Sequence, residues 1–291
     1  MRYSIKFSFS GAGFCGWQKQ PSAPSVQDSL EDALGKLLGC DIPVTGAGRT
    51  DAGVNSIGYT ACFDGPEGLC AEQFRYKLNA ILPEEIAVLE VKEEKADFHA
   101  RFDAVRREYT YFLHRGKDPF AASWSLLYDF PELDVAAMNR AAALLVGRHD
   151  FSCFEKVGAD NKTSVCTVYE AAWHPYTPTH VSLMGPVIPS TNGLTASADA
   201  GQADSAQDSP YLYFRISADR FLRNMVRATV GTLLEVGRGR RSIDNFAGLV
   251  LPADTPSAKR SAEELPAQPS RRCLAGQSVP GHALFLSKVR Y

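Results

Sequence analysis

Two hydrophobic periods alternate along the chain. From Tyr3 to Phe9 every second residue is apolar, the spacing of a half-buried strand. Leu30, Ala33, Leu34, Leu37 and Leu38 then recur three and four apart, which predicts a helix. Its start is marked by Ser25-Val26-Gln27-Asp28, a capping-box pattern, and its end by Gly39. Short strands are predicted at 43–45, 57–63 and 86–91, with a helix over 71–80 that turns Phe74 and Leu78 inward. Residues 106–113 alternate again, placing Tyr109 and Tyr111 on one face and Thr110 and Phe112 on the other. Further on, Asp134 is placed to cap a helix with Val135, Met138, Ala141, Ala142 and Leu145 as its apolar positions, ending at Gly147. Strands follow at 165–173 and 211–216, then a helix over 221–236 with Val226, Val230, Leu233 and Leu234 as its buried stripe, and a strand at 283–291. The second half repeats the element order of the first without residue-level similarity. Strands and helices in this order, with short connections, predict an α+β fold with an antiparallel sheet.

Composition bounds this picture without changing it. The 291 residues suit two domains or one two-lobed domain with an ample core. No apolar run is long enough to span a membrane, and the N-terminus lacks a signal-peptide apolar region. The seven cysteines are scattered, with no Cys-x-x-Cys pair, so the expected compartment is a reducing cytoplasm. The Asn161-Lys162-Thr163 sequon has no consequence there. The six histidines, 99, 114, 149, 174, 180 and 282, form no metal-ligand spacing.

Charge alters the picture more. The net charge of −2 argues against a nucleic-acid partner, but its distribution does not. Residues 211–250 hold seven arginines against three acids, and residues 97–117 hold four arginines and a lysine against three acids. Such local basic character is what an electrostatic footprint for a polyanion requires, although two solvated faces would read the same way.

Three stretches carry candidate chemistry. Gly46-Ala47-Gly48-Arg49-Thr50-Asp51-Ala52-Gly53-Val54 has neither period and three glycines, so it is a shaped loop presenting a carboxylate and a guanidinium. Gly11-Ala12-Gly13-Phe14-Cys15-Gly16 is formally G-x-G-x-x-G, but Pro21 and Pro24 follow before any helix, which favours a connecting loop over a dinucleotide site. Arg220, Arg223 and Arg227 lie three and four apart, from the residue before the predicted 221–236 helix into it, in register to meet phosphates or solvent. Residues 189–210 and 253–280, rich in small polar residues and proline, read as structureless inserts.

Taken together, Gly48-Arg49-Thr50-Asp51-Ala52-Gly53-Val54, Gly16-Trp17-Gln18 and Ser25-Val26-Gln27 resemble the signature region of the tRNA pseudouridine synthase A family. Phe98-His99-Ala100-Arg101-Phe102 with Tyr109-Thr110-Tyr111, and Met225-Val226-Arg227 with Val230-Gly231, resemble its middle and C-terminal motifs. The resemblance runs from about Tyr3 to Tyr291, outside the two inserts. It implies two ferredoxin-like halves sharing a central antiparallel sheet with helices on one face, here 1–104 and 105–291, and a homodimer. It also implies isomerisation of uridine to pseudouridine at positions 38, 39 and 40 of the tRNA anticodon stem-loop, with no metal or organic cofactor. By the same resemblance Asp51 is the nucleophile, Arg227 the cation that keeps it ionised, and Tyr109 the pocket residue that stacks on uracil and acts as, or positions, the base. Arg49 matches the residue that replaces the flipped base, and Arg101, Arg106, Arg107, Arg220 and Arg223 are expected at phosphates. Asn55 stands where the family usually has histidine, so no catalytic role is expected at that position.

Two other readings compete. A non-catalytic RNA-binding protein on the same scaffold needs none of Asp51, Tyr109 and Arg227 together. A dinucleotide-dependent oxidoreductase would have to use Gly11 to Gly16 despite the prolines that follow.

Overall fold

The computed structural model describes residues 1–130, 132–158, 161, 163–184, 209–254 and 271–291. Most of the 189–210 insert, and residues 255–270 of the other, lie outside them. In chain order the elements are β1 (Arg2–Phe9), α1 (Val26–Leu38), β2 (Thr45–Gly46), β3 (Asn55–Asp64), α2 (Ala71–Ile81), β4 (Ile86–Glu94) and β5 (Arg106–His114). There follow β6 (Leu126–Leu127), α3 (Val135–Ala143), β7 (Gly147–Asp150), β8 (Val165–Pro175), α4 (Thr179–Met184), β9 (Tyr211–Ala218), α5 (Met225–Gly237), α6 (Ile243–Ala247), β10 (Leu251–Pro252) and β11 (Leu284–Arg290). The fold is α+β, as expected.

Met1–Tyr109 and Leu284–Tyr291 form one compact unit, and Thr110–Ala283 form another. The chain passes from the first to the second within β5. In the first unit the strand order is β11-β3-β1-β4, with β2 also on β3. The β1 pairings are antiparallel, with Ile5 opposite Ala61 on one side and Val91 on the other. Alternation on β1 buries Tyr3, Ile5, Phe7 and Phe9 against Tyr59, Phe63 and Trp17. Val26, Leu30 and Leu34 of α1 and Phe74 and Leu78 of α2 are buried as well. The predicted caps of α1 form: Ser25 Oγ accepts the Asp28 N–H at 3.1 Å, and Gly39 adopts φ +74°.

β11, expected in the C-terminal half, pairs with β3 of the first unit, and it does so in parallel, Phe285 opposite Asn55 and Leu286 opposite Ser56. The sheet is therefore mixed rather than purely antiparallel. Parallel neighbours need a long crossover, and residues 65–283, with the whole of the second unit among them, supply one.

In the second unit the order is β10-β7-β8-β9-β5, with α3 packed on β8 and on α5. Asp134 caps α3 by accepting the Ala137 N–H at 2.7 Å, but the helix ends at Ala143 rather than at Gly147, which opens β7 with φ +117°. The larger departure is α5. It begins at Met225, not Phe221, because Asn224 takes the left-handed conformation at φ +66°. Arg220 and Arg223 thus stand before the helix and are not in register with Arg227 on it. From Ala228 to Leu234 every residue is buried, so the helix has no broad solvated face. Part of its cover is the sequence's unread segment: residues 271–280, predicted as insert, form a short 3-10 turn and then run along α5.

Candidate active site

The loop carrying Asp51 is held from three sides within the first unit. The stretch from Gly11 to Trp17 lies on it backbone to backbone. The Trp17 N–H donates to Thr50 Oγ1 at 3.0 Å, and the Gly53 N–H to the Phe14 carbonyl at 3.3 Å. A Cβ at Gly11 would sit 2.4 Å from the Val54 carbonyl oxygen, and one at Gly16, where φ is +96°, 2.2 Å from that of Thr50. Two of the glycines of the formal dinucleotide motif therefore serve close approach to the Asp51 loop, as a connecting loop would.

From below, Trp17 stacks on Tyr59 with ring centroids 4.5 Å apart. The Tyr59 hydroxyl donates to the Gly48 carbonyl and receives the Gly48 N–H at 3.3 Å. Gln27 closes the same corner, accepting the Lys19 N–H at 3.1 Å and donating to the Val44 carbonyl at 3.2 Å. The third side is Arg107. Its Nη2 donates to the carbonyls of Ala47 at 2.9 Å and Arg101 at 2.7 Å, and its Nη1 to that of Ala104 at 3.2 Å. One guanidinium thus joins the Asp51 loop to the turn that follows Phe98-His99-Ala100. In that turn His99 Nδ1 accepts the N–H groups of Arg101 and Phe102, and the Phe102 ring is 74 % exposed beneath the Arg101 guanidinium.

Held this way, Asp51 is half-buried and Arg49 exposed. Tyr109 is buried, and its phenol is pushed up to about 12: burial dominates, the Arg107 charge opposes it, and the Asp51 charge adds to it. Asp51 and Tyr109 therefore share one electrostatic neighbourhood. Tyr291 borders it, its hydroxyl donating to the Ala100 carbonyl at 2.8 Å and its own phenol raised to about 12, mainly by burial. Asn55, by contrast, is buried beneath the loop, where its Oδ1 accepts the Gly11 N–H at 2.8 Å.

Arg227 belongs to the second unit. Its Nε donates to the Val279 carbonyl at 2.7 Å, while its own carbonyl accepts the Val279 N–H at 3.2 Å. Tyr111, buried, donates to the Pro280 carbonyl at 3.1 Å, and its phenol is raised by burial against the opposing charge of Arg227. Arg220 donates to the Thr163 carbonyl at 3.2 Å and to Asn161 Oδ1 at 3.4 Å, tying down a loop. Arg223 is exposed. The first unit thus brings together Asp51, Tyr109, Arg49, Arg101 and Arg107; Arg220, Arg223 and Arg227 lie in the second. Tyr59 and Tyr291 stand outside the recognised motifs and act through contacts that no local spacing announces; Thr50 stands inside one, but its contact with Trp17 is equally unannounced. Trp17 stood in a recognised motif, but its stacking partner did not.

Among the described residues no group of three or more His, Cys, Asp or Glu could hold a metal ion. All seven cysteines are free thiols, and no helix of the described residues is long and apolar enough to cross a membrane.

A sequence profile described as tRNA pseudouridine synthase matches residues 6–103 and 141–291. The chain is also similar along its whole length to proteins named tRNA pseudouridine synthase A. That of Parabacteroides distasonis is 40 % identical over 292 residues, covering 100 % of this chain and 96 % of the relative. That of Bacteroides fragilis is 38 % identical, with the same coverage. That of Bacillus subtilis is 35 % identical over 294 residues, covering 100 % of this chain and 99 % of the relative.

Proposed function

The chain belongs to the tRNA pseudouridine synthase family, an isomerase family acting on uridine in tRNA, and we propose that it modifies positions 38, 39 and 40 of the anticodon stem-loop. The observation that carries the residue roles is the pairing of Asp51, half-buried in a loop fixed from three sides, with the buried phenol of Tyr109 on which its charge acts.

The reaction breaks the N1–C1′ glycosidic bond, turns the base, joins C5 to C1′ and releases the C5 proton. Asp51 is the covalent nucleophile, and Arg227 is the cation that keeps the nucleophilic carboxylate ionised. A phenol that keeps its proton to about 12 is neutral at pH 7, so Tyr109 acts as a stacking and hydrogen-bonding group that positions the base rather than as a phenolate. Arg49, exposed on the loop, fills the stack left by the flipped uridine. Arg101 and Arg223, both exposed, contact phosphate. Arg107 and Arg220, each in its own unit, serve RNA binding by fixing a loop. The working form is a cytoplasmic homodimer that needs no cofactor.

The test is tritium release from 5-tritiated uridine in tRNAs that carry a single uridine at 38, 39 or 40. Release from all three, and none from a tRNA with uridine only outside the anticodon arm, is the expected result. Release from none of the three would overturn the positional assignment.

A further inference from the structure

Residues 276–280 touch α5 at intervals along its length. At its start, Asn224 Nδ2 donates to Ser278 Oγ at 2.7 Å. One turn on, Val279 and Arg227 exchange the two hydrogen bonds described above. A further turn on, the Gln277 carbonyl lies directly on the helix: a Cβ at Gly231 would be 1.8 Å from its oxygen. Beyond that, the Gly276 N–H donates to Thr232 Oγ1 at 3.0 Å, and a Cβ at Gly276 would meet the Glu235 carboxylate at 2.5 Å.

Ser278 is the node of this arrangement. Its Oγ accepts from Asn224 and also from Arg272 Nη2 at 2.7 Å. A hydroxyl has two acceptor lone pairs, and both are engaged by these two donors. Arg272 in turn clamps the segment by donating from Nη1 to the Gly276 carbonyl at 2.8 Å. The next carbonyl after Ser278 is that of Val279, the acceptor for Arg227 Nε. Fixing Nε fixes the plane of a guanidinium, and with the plane the direction of its terminal N–H pair.

Asn224 shows the same priority. It stands at the N-cap of α5, where an asparagine side chain ordinarily accepts a helix N–H, yet it makes no such cap. Its amide is turned to Ser278 instead, and its backbone takes a left-handed conformation that allows this.

We infer that Ser278, held by Asn224 and Arg272, is a positioning residue for the reaction: through the Val279 carbonyl it sets the orientation of the Arg227 guanidinium. The inference rests on the reading of Arg227 as the cation that keeps the nucleophile ionised.

Two substitutions separate positioning from folding. Asn224→Gly keeps a residue suited to φ +66° and removes the side chain that carries the amide donor. Ser278→Ala removes the acceptor, and Ser278→Thr restores it. Single-turnover tritium release at saturating enzyme and tRNA affinity by filter binding are measured for each, with Arg227→Ala as reference. Asn224→Gly and Ser278→Ala are expected to slow the chemical step by about 10- to 100-fold, the scale of an ångström-sized misplacement. Their tRNA affinity stays within about threefold, since phosphate contacts set it. Ser278→Thr stays near the parent rate. The inference is overturned if Arg227→Ala is inactive while both variants keep the parent rate, or if their losses appear in affinity alone. An Arg227→Ala enzyme with the parent rate would instead overturn the reading of Arg227 itself.

Discussion

The segments 46–54 and 276–280 both secure a charged residue, but they do it in opposite senses. In the first, distant side chains grip the loop's backbone: Tyr59 takes Gly48 and Arg107 takes Ala47. Asp51 is then displayed by a loop held rigid around it. In the second, the segment's backbone grips a side chain: the Val279 carbonyl takes Arg227 Nε. In the proposed roles, a nucleophile has to approach a substrate atom, so its carrier is what is fixed. A supporting cation needs only a fixed direction, so the side chain itself is held.

The largest test of this contrast is Asp51→Asn. It should abolish tritium release, a loss of roughly 10,000-fold or more, as for removal of other covalent nucleophiles. Affinity for tRNA should stay within about tenfold, because phosphate contacts dominate it. Undiminished release would remove Asp51 from the nucleophile's role.

Next in size is the rigidity of the first segment. Gly16→Ala puts a Cβ into the Thr50 carbonyl at a left-handed φ and should cost about 2–3 kcal/mol in urea unfolding, with activity falling alongside. Gly13→Ala, also at positive φ but facing open space, should cost about 1 kcal/mol and leave the rate near that of the parent. Equal effects at the two positions would mean that backbone strain, not contact with the Asp51 loop, is what matters there.

Alkaline unfolding gives a smaller effect. Tyr109 and Tyr291 hold their protons to about 12 in the folded chain, whereas an unfolded tyrosine titrates near 10. Because the folded value is raised, the stabilisation is complete below about pH 10 and is lost as pH climbs towards about 12. Urea midpoints should be flat up to about pH 9.5 and then fall, less steeply in Tyr109→Phe. At Asn55 the expected effect is on stability and hardly at all on rate. Asn55→Ala leaves the Gly11 N–H without its acceptor and should cost about 1–3 kcal/mol of stability, while single-turnover rates at a temperature where it is folded remain within a few-fold.

What the sequence discloses follows the same division. Helix α1 is legible from its caps and its stripe, and β1 and β5 from alternation, because these are local, repeated signals. The Asp51 loop is legible from its glycines and its motif. Residues 271–280 are not, because much of what orders them is backbone carbonyls and amides meeting α5, and almost every residue type carries those. A stretch such as Ala275-Gly276-Gln277-Ser278-Val279-Pro280 reads by composition as a linker whether or not a helix receives it. The start of α5 was misplaced for a related reason. Phe221 and Leu222 extend its apolar pattern, and the left-handed turn at Asn224 leaves no mark in periodicity.

The placement of β11 beside β3 has a consequence for how the protein is made. The ribosome delivers β1 to β4 early, but the strand that pairs with Asn55 and Ser56 emerges only after all of residues 110–283. Until then the edge of β3 next to the Asp51 loop is an unpaired template open to other chains. A nascent chain stalled within the second unit therefore carries this open edge, and chaperone demand should peak over that interval of synthesis and end when β11 docks.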